Sequence, residues 1–192
     1  MTFVIATHNQ HKLTELERIL SPLKIEVTTA QLDEVEETGT TFAQNAFLKA
    51  DAACKQTGLP AVADDSGLMV DALNGAPGVY SARYAGEGAT DGQRIEKLLG
   101  ALKDVPKGQR TAHFVSSICC VFPNGKTVTA EGTCPGSIAF SPSGTDGFGY
   151  DPVFLVGDKT FAQLTAQEKD AISHRGCALR QFVEKLQQSG LV

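Results

Sequence analysis

Two adjacent carboxylates, Asp64 and Asp65, directly follow the short apolar run Ala61-Val62-Ala63. The run predicts a buried strand whose end carries both aspartates to the edge of a sheet. Because neighbouring side chains of a strand point to opposite faces, we predict different tasks for the two. Carboxylate oxygens there suit Mg²⁺, which is typically bound by one or two carboxylates plus substrate phosphates. For an isolated pair, a turn or helix cap is the simpler interpretation.

A second polar segment covers residues 7–12 (Thr7, His8, Asn9, Gln10, His11 and Lys12) and joins a predicted strand to a predicted helix. Backbone N–H groups at a helix start favour phosphate, and Lys12 adds a full positive charge. The glycine spacing of a P-loop is absent. A capped helix with a solvated lysine is the alternative interpretation.

Three basic side chains occur near the C-terminus: Lys169, His174 and Arg175. The last two open a predicted helix, where the helix dipole disfavours cations unless an anion or acceptor lies opposite. A solvated arginine and a surface histidine fit the pattern equally well.

Two further residues are candidates for function. Glu37 could be a second metal ligand, or part of an exposed acidic loop. Phe148, in a glycine-rich loop, could be a core anchor or a platform on which a base stacks. The four histidines lack the spacing of zinc ligands, which argues against a zinc enzyme.

Composition indicates a globular protein of 192 residues, 42% of them hydrophobic, with a single domain expected over 1–192. The net charge of −5 argues against a nucleic-acid-binding protein. No apolar run approaches the ~20 residues of a membrane span, and the N-terminus does not resemble a signal peptide. The five cysteines include no C-x-x-C pair, which predicts reduced thiols in a cytoplasmic protein.

Helical and extended patterns alternate, which predicts an α/β fold. An Asn124-Gly125 hairpin signal predicts that the sheet is mixed. Helices are predicted over 11–20 with Asn9 as cap, from Thr40 or Thr41 to 57 with Gly58 as C-terminal cap, over 91–102, after the Thr165-x-x-Glu168 capping box, and over 173–188. Strands are predicted over 2–7, 25–29, 67–73, 110–123 and 126–137, besides the run before Asp64.

Seven motifs occur in order along nearly the whole chain. They are Thr7-x-Asn9-x-x-Lys12, Glu36-Glu37-Thr38-Gly39, Asn45-Ala46-x-x-Lys49-Ala50, Ala63-Asp64-Asp65-Ser66-Gly67-Leu68, Gly75-Ala76-Pro77-Gly78-x-Tyr80-Ser81-Ala82-Arg83-Tyr84, Phe148-Gly149-Tyr150-Asp151-Pro152 and Ser173-His174-Arg175. This ordered set strongly resembles one known family, the inosine triphosphate pyrophosphatases. A departure is His8, where relatives often carry a small residue.

The resemblance implies Mg²⁺-dependent hydrolysis of ITP, dITP and XTP to the nucleoside monophosphate and pyrophosphate. It implies an elongated mixed β-sheet flanked by helices, in two lobes with an active-site cleft between them. It further implies a homodimer, the usual state of the family.

The resemblance also implies roles for individual residues. Glu37 and Asp65 are expected to bind Mg²⁺, with Asp65 also the general base and Asp64 a second candidate for either role. Phe148 is expected to stack on the purine, with Lys169, His174 and Arg175 around its edge. The other residues expected to contact substrate are Thr7, His8, Asn9, Gln10, His11, Lys12, Lys49, Ser66, Gly149, Tyr150 and Asp151.

Three alternatives remain open at this stage. One is a nucleotide sensor without hydrolysis, against which the intact acidic set argues. Another is a pyrophosphatase for modified pyrimidine nucleotides, against which Ser173-His174-Arg175 argues. The third, a thiol enzyme that uses one of the cysteines, is the least favoured.

Overall fold

The computed structural model describes residues 2–21 and 25–191, within which the chain forms seven β-strands and five α-helices. The strands are β1 (Thr2–Ile5), β2 (Glu26–Thr28), β3 (Ala61–Val70), β4 (Thr111–Val121), β5 (Thr127–Ile138), β6 (Phe154–Val156) and β7 (Lys159–Thr160). The helices are α1 (Gln10–Leu20), α2 (Phe42–Thr57), α3 (Asp91–Ala101), α4 (Ala166–Ile172) and α5 (His174–Gln188).

The strands form one mixed sheet in the order β2-β1-β3-β4-β5-β6-β7. Strand β1 pairs in parallel with β2 and β3, whereas β6 pairs antiparallel with β5 and β7. A turn at Asn124-Gly125 joins β4 to β5, with Gly125 at φ 80° and its N–H donating to the Phe122 carbonyl. The predicted α/β class and mixed sheet are therefore confirmed.

The prediction that a strand ends at Asp64 and Asp65 is wrong. Strand β3 continues to Val70, followed by a 3₁₀ turn over Asp71–Leu73, so the second strand predicted over 67–73 is part of β3. Both aspartates are buried in the middle of the strand, 1% and 6% exposed. A strand can carry carboxylates through its buried middle when each has a charged or hydrogen-bonding partner.

The chain divides into two compact units. The first comprises Met1–Asp65, Ser116–Gly132 and His174–Val192, and the second comprises Ser66–Val115 and Thr133–Ser173. The single domain over 1–192 and the cleft between two lobes stay predictions.

In the first unit, alternate residues of the strands contribute to two different apolar clusters. Phe3, Ile5 and Val62 pack with side chains of α1 and α5, such as Leu16 and Leu179. Their neighbours Val4, Ala61 and Ala63 pack instead with α2, whose Ala46 and Ala50 belong to the same cluster. The sheet of this unit therefore carries helices on both faces, which is what an α/β pattern predicts.

The second unit is built around a separate apolar cluster. Leu68 of β3 and Leu98 of α3 belong to it. The Phe114 ring lies 4.5 Å from that of Phe154 and 5.8 Å from that of Phe161, between ring centroids. Tyr150, in the glycine-rich loop that precedes β6, belongs to the same cluster.

The cysteines are free thiols, as predicted. Cys119 and Cys120 are adjacent in β4 but belong to different clusters, which confirms that they point to opposite faces. In the described part of the chain, no helix is both long and apolar enough to cross a membrane.

Candidate active site

Helix α1 begins with Asn9 as its N-cap, as predicted. The Asn9 side chain accepts hydrogen bonds from the backbone N–H groups of His11 and Lys12, at 3.0 and 3.2 Å. The Asn9 N–H in turn donates to Thr7 Oγ1 at 3.1 Å. A phosphate at this helix start would therefore compete with Asn9 for two of the amide donors, which leaves the Lys12 side chain as the main source of positive charge.

The Asp64 carboxylate faces α1 and α5. Its Oδ2 atom lies 3.3 Å from Lys12 Nζ and 3.3 Å from Arg175 Nη2. The Arg175 guanidinium is only 2% exposed and also contacts the buried Glu15 carboxylate. The interpretation of Arg175 as solvated is thus wrong, because acceptors do lie opposite this helix start.

These contacts hold Asp64 in its charged form. Burial alone would raise the pKa of Asp64, but Lys12, Arg175 and Lys49 together hold it well below its ordinary value. Burial would likewise lower the pKa of Arg175, yet Asp64 and Glu15 raise it. Burial lowers the pKa of Lys12, partly offset by Asp64. Asp64 is consequently a fixed anion that orients two cations.

The Asp65 carboxylate faces α2 on the opposite side of β3. Its Oδ2 atom accepts a hydrogen bond from Asn45 Nδ2 at 3.1 Å, and Oδ1 lies 3.5 Å from Lys49 Nζ. The Lys49 ammonium is held more tightly by Glu37 Oε1, at 2.6 Å. The two predicted metal ligands, Glu37 and Asp65, therefore converge on one cationic group.

Asn45 links the acidic loop to this carboxylate. It is fully buried, and its Oδ1 atom accepts a hydrogen bond from the Gly39 N–H at 2.8 Å while its Nδ2 atom donates to Asp65. A Cβ atom on Gly39 would lie 2.5 Å from Asn45 Oδ1, so a side chain there would displace the amide. Asn45 thereby holds the loop that carries Glu37 close to Asp65.

The pKa of Asp65 shifts in the opposite direction to that of Asp64. Burial raises the pKa of Asp65, and Glu37 adds to the shift, against the lowering effect of Lys49 and Lys12. Burial would lower the pKa of Lys49, but Asp65, Asp64 and Glu37 together raise it. A carboxylate with a raised pKa, such as Asp65, suits proton transfer better than Asp64, whose charge is held by neighbouring cations.

Phe148 lies in the second unit, in a loop tied down by hydrogen bonds. The Phe148 N–H donates to Asp151 Oδ2 at 2.9 Å, and Lys169 Nζ donates to the same oxygen at 2.7 Å. The Lys169 ammonium lies 4.8 Å from the centroid of the Phe148 ring, a cation–π contact. The structure therefore brings Phe148, Asp151 and Lys169 together, while their contact with a purine stays a prediction.

The remaining predicted contacts are spread over the chain. His8, Gln10 and His11 are exposed, Ser66 is half-buried directly after Asp65, and His174 is buried. Gly149 and Tyr150 continue the Phe148 loop, and the Tyr150 hydroxyl donates to the Ser81 carbonyl at 2.7 Å. Lys169 belongs to the second unit and His174 and Arg175 to the first, so their grouping around a base stays a prediction.

The donor set fits a divalent cation shared with a phosphate ligand. The position between Glu37 and Asp65 already accommodates a positive group, the Lys49 ammonium. Among the residues that the structure describes, no three His, Cys, Asp or Glu side chains form a group able to hold a metal ion alone. Two carboxylates with remaining positions filled by phosphate oxygens or water is the usual arrangement for Mg²⁺.

Comparison with known proteins identifies the family of the chain. The sequence model of the Ham1 family matches residues 3–185. The chain belongs to the Ham1 family. The chain is also about half identical to dITP/XTP pyrophosphatases, which confirms the predicted resemblance to the inosine triphosphate pyrophosphatases.

Relatives of this Ham1 chain are similar over nearly their whole length. A dITP/XTP pyrophosphatase of Shigella flexneri is 50% identical over 190 residues, covering 95% of this chain and 96% of the relative. The structure of a HAM1 protein from Coxiella burnetii superposes with a TM-score of 0.89 at 46% identity, covering 98% and 99% of the two chains. The Staphylococcus aureus Ham1 protein gives a TM-score of 0.87 at 44% identity, covering 98% and 100%.

Two residues of the Ham1 site, Asn45 and Glu15, were not among the predicted contacts. Asn45 belongs to the same motif as Lys49 and precedes it by one helical turn, so the two share one face of α2, and that shared face was the available signal. Glu15 follows Lys12 by three residues on α1. Its spacing is that of any surface ion pair, so nothing in the sequence distinguished it.

Proposed function

We propose that this Ham1 chain hydrolyses non-standard purine nucleoside triphosphates, namely ITP, dITP and XTP, to the monophosphate and pyrophosphate. The observation that carries the proposal is the convergence of Glu37 and Asp65 on Lys49, beside the separate Lys12–Asp64 pair. The dITP/XTP pyrophosphatases that are about half identical to the chain support the same reaction.

The acidic pair and the two lysines would bind the triphosphate. Glu37 and Asp65 would hold Mg²⁺, which supplies charge neutralisation for the phosphates when bound. Lys49 would then move from the carboxylates to a phosphate oxygen, and Lys12, oriented by Asp64, would bind another. Neutralising the charge that develops on the phosphates is the main catalytic demand of phosphoryl transfer.

Asp65 is the proposed general base. It would accept a proton from the water that attacks the α-phosphorus, while the bond from that phosphorus to the bridging oxygen breaks and pyrophosphate leaves. Asp64 is unsuited to this step, because Lys12 and Arg175 hold its pKa well below the ordinary value. Asn45 would orient Asp65 through the 3.1 Å hydrogen bond between Nδ2 and Oδ2.

The nucleobase of the substrate would be recognised by Phe148 and Lys169 of the second unit and by His174 at the start of α5. Phe148 would stack on the purine, with Lys169 at its edge and His174 completing the donors. Donors directed at a 6-oxo group reject the 6-amino group of adenine, because buried polar groups then lose their partners. Such a site can discriminate by about 10⁴ or more.

The predicted homodimer and cytoplasmic location belong to the same proposal. The dimer is supported by the family resemblance. The location is supported by five free cysteines, four of them buried, which is typical of proteins from reducing compartments.

The test is pyrophosphate release from a panel of nucleoside triphosphates with Mg²⁺, repeated with EDTA in excess. We expect rates for ITP, dITP and XTP far above those for ATP and GTP, and no turnover with EDTA. Equal rates across the purine panel would contradict the selectivity, and faster turnover of modified pyrimidine nucleotides would favour that alternative. Tight binding without turnover would identify a sensor.

A further inference from the structure

We propose that Asp91 is a positioning residue for the Phe148 loop and thereby contributes to base affinity without touching the base. This inference rests on the proposed function of Phe148 as the purine platform. Asp91 lies 57 positions before Phe148 in the sequence, at the first residue of α3, and belongs to no motif considered above.

The contact that links the two segments is a hydrogen bond from the Gly149 N–H to Asp91 Oδ2, at 2.8 Å. One residue earlier, the Phe148 N–H donates to Asp151 Oδ2 at 2.9 Å. Two consecutive backbone amides, one belonging to the aromatic residue itself, thus donate to two different carboxylates. This arrangement fixes the peptide planes on both sides of the Phe148 side chain.

Asp91 is itself held in place. Its Oδ1 atom pairs with Arg94 Nη2 one turn along α3, and Arg94 Nη1 also donates to the carbonyls of Ala82 and Ala89, at 2.8 and 2.6 Å. The start of α3 is closed by a capping box between Thr90 and Gln93. A carboxylate on a capped helix, oriented by an anchored guanidinium, is a rigid acceptor for a loop amide.

The loop needs such external support, because its glycines allow many conformations. Gly147 and Gly149, which flank Phe148, have φ values of 75° and 63°, in the left-handed region that glycine visits freely. Without the Asp91 acceptor, the peptide after Phe148 could rotate and the ring would lose its fixed orientation. Fixing a binding group in advance increases affinity by lowering the ordering cost of binding.

A purely structural role is the competing explanation, because an acidic residue in the first turn of a helix also stabilises that helix. The two roles differ in what they affect. Helix stabilisation changes the free energy of unfolding, whereas positioning of Phe148 changes affinity for the purine and not for the phosphates.

The experiment measures the dissociation constant for IMP and the inhibition constant for pyrophosphate in the full-length chain. Asp91→Ala is expected to weaken IMP binding about tenfold, the lower end of the effect of losing a hydrogen bond to a charged group. The inhibition constant for pyrophosphate should stay unchanged. Thr90→Val is the matched control, since it removes the cap of the same helix but keeps the Asp91 carboxylate. It is expected to lower the melting temperature and keep IMP affinity.

A double-mutant cycle with Phe148→Ala separates this inference from the proposed function. In the absence of the ring, Asp91→Ala should cause no further loss of IMP affinity. Additive losses, or an IMP loss in Thr90→Val equal to that in Asp91→Ala, would overturn the role of Asp91. Unchanged IMP binding in Phe148→Ala would instead contradict the proposed base platform. If Asp91→Ala does not fold, Asp91→Leu gives the same test, because leucine has nearly the shape of aspartate but no acceptor for the Gly149 N–H; unchanged IMP affinity in that variant overturns the inference.

Discussion

Asp64 and Asp65 are consecutive residues of β3, yet their carboxylates are held on opposite faces of the strand by different partners. Asp64 lies between Lys12 and Arg175, whereas Asp65 accepts from Asn45 and lies 3.5 Å from Lys49. Their pKa values shift in opposite directions from the same ordinary value. One strand thus supplies a permanently charged anchor and a carboxylate able to exchange a proton.

The two aspartates should therefore respond differently to the same substitution. We expect Asp65→Asn to lower kcat by about 10²–10⁴, the contribution typical of a general base, without loss of stability. Asp64→Asn should instead destabilise the fold by about 3–5 kcal/mol, because it removes the anion from a buried charge cluster. Pyrophosphate release and urea unfolding of both variants measure the two effects.

The control for this pair is the conservative variant Asp65→Glu, which keeps the charge and should retain part of the activity. Full turnover in Asp65→Asn together with loss of turnover in a folded Asp64→Asn would transfer the base role to Asp64.

Strand alternation was sufficient to predict that the two aspartates differ. The same rule correctly predicted that Cys119 and Cys120 point to opposite faces. Local capping signals narrowed the start of α2 to Thr40 or Thr41, of which Thr41 is the cap, and correctly located its end at Gly58. These features depend only on neighbouring residues, so a single sequence contains the information.

Long-range partners were beyond local reasoning. Arg175 meets Asp64 across 111 positions and Gly149 meets Asp91 across 58 positions. A solvated arginine fitted the local pattern as well as a buried one, because only the tertiary fold supplies its acceptors. The prediction that the strand ends at Asp64 and Asp65 failed for the same reason, because the cations that permit buried carboxylates come from other elements.

Arg175 should matter for stability more than for base recognition. Replacing it with Met removes the cation beside two buried carboxylates, Asp64 and Glu15, and should cost about 3–5 kcal/mol of unfolding free energy. Arg180→Met, at an exposed position of the same helix, is the control and should change stability by less than about 0.5 kcal/mol. A stable Arg175→Met protein with altered preference between ITP and GTP would show instead that the guanidinium contacts the base.

The buried thiol of Cys119 should make the fold sensitive to alkaline pH. Burial raises the pKa of Cys119 from 9.0 to about 11, with Asp51 adding to the shift. Between these values the unfolded chain loses the proton and the folded chain keeps it, so stability falls as pH rises, by about 2–3 kcal/mol in total. Urea unfolding between pH 8 and 11 should therefore show a shallower pH dependence for Cys119→Ala, and identical slopes would contradict the shift.

Lys49 should compete with a divalent cation for the same carboxylates. Its ammonium lies 2.6 Å from Glu37 Oε1 and 3.5 Å from Asp65 Oδ1, so a cation can bind between them only by displacing it. In Lys49→Met, we expect tighter Mg²⁺ binding to the substrate-free protein, because two carboxylates are no longer neutralised, but a KM for ITP raised about tenfold or more through loss of a phosphate contact. Titration calorimetry with Mg²⁺ and steady-state kinetics measure the two effects. Lys55→Met, which replaces an exposed lysine of the same helix, is the control.

Two outcomes would contradict parts of this prediction. Equal Mg²⁺ affinity in Lys49→Met and the unchanged chain would show that the cation binds elsewhere. Tighter Mg²⁺ binding with unchanged KM would place the metal between these carboxylates and remove Lys49 from the phosphate site.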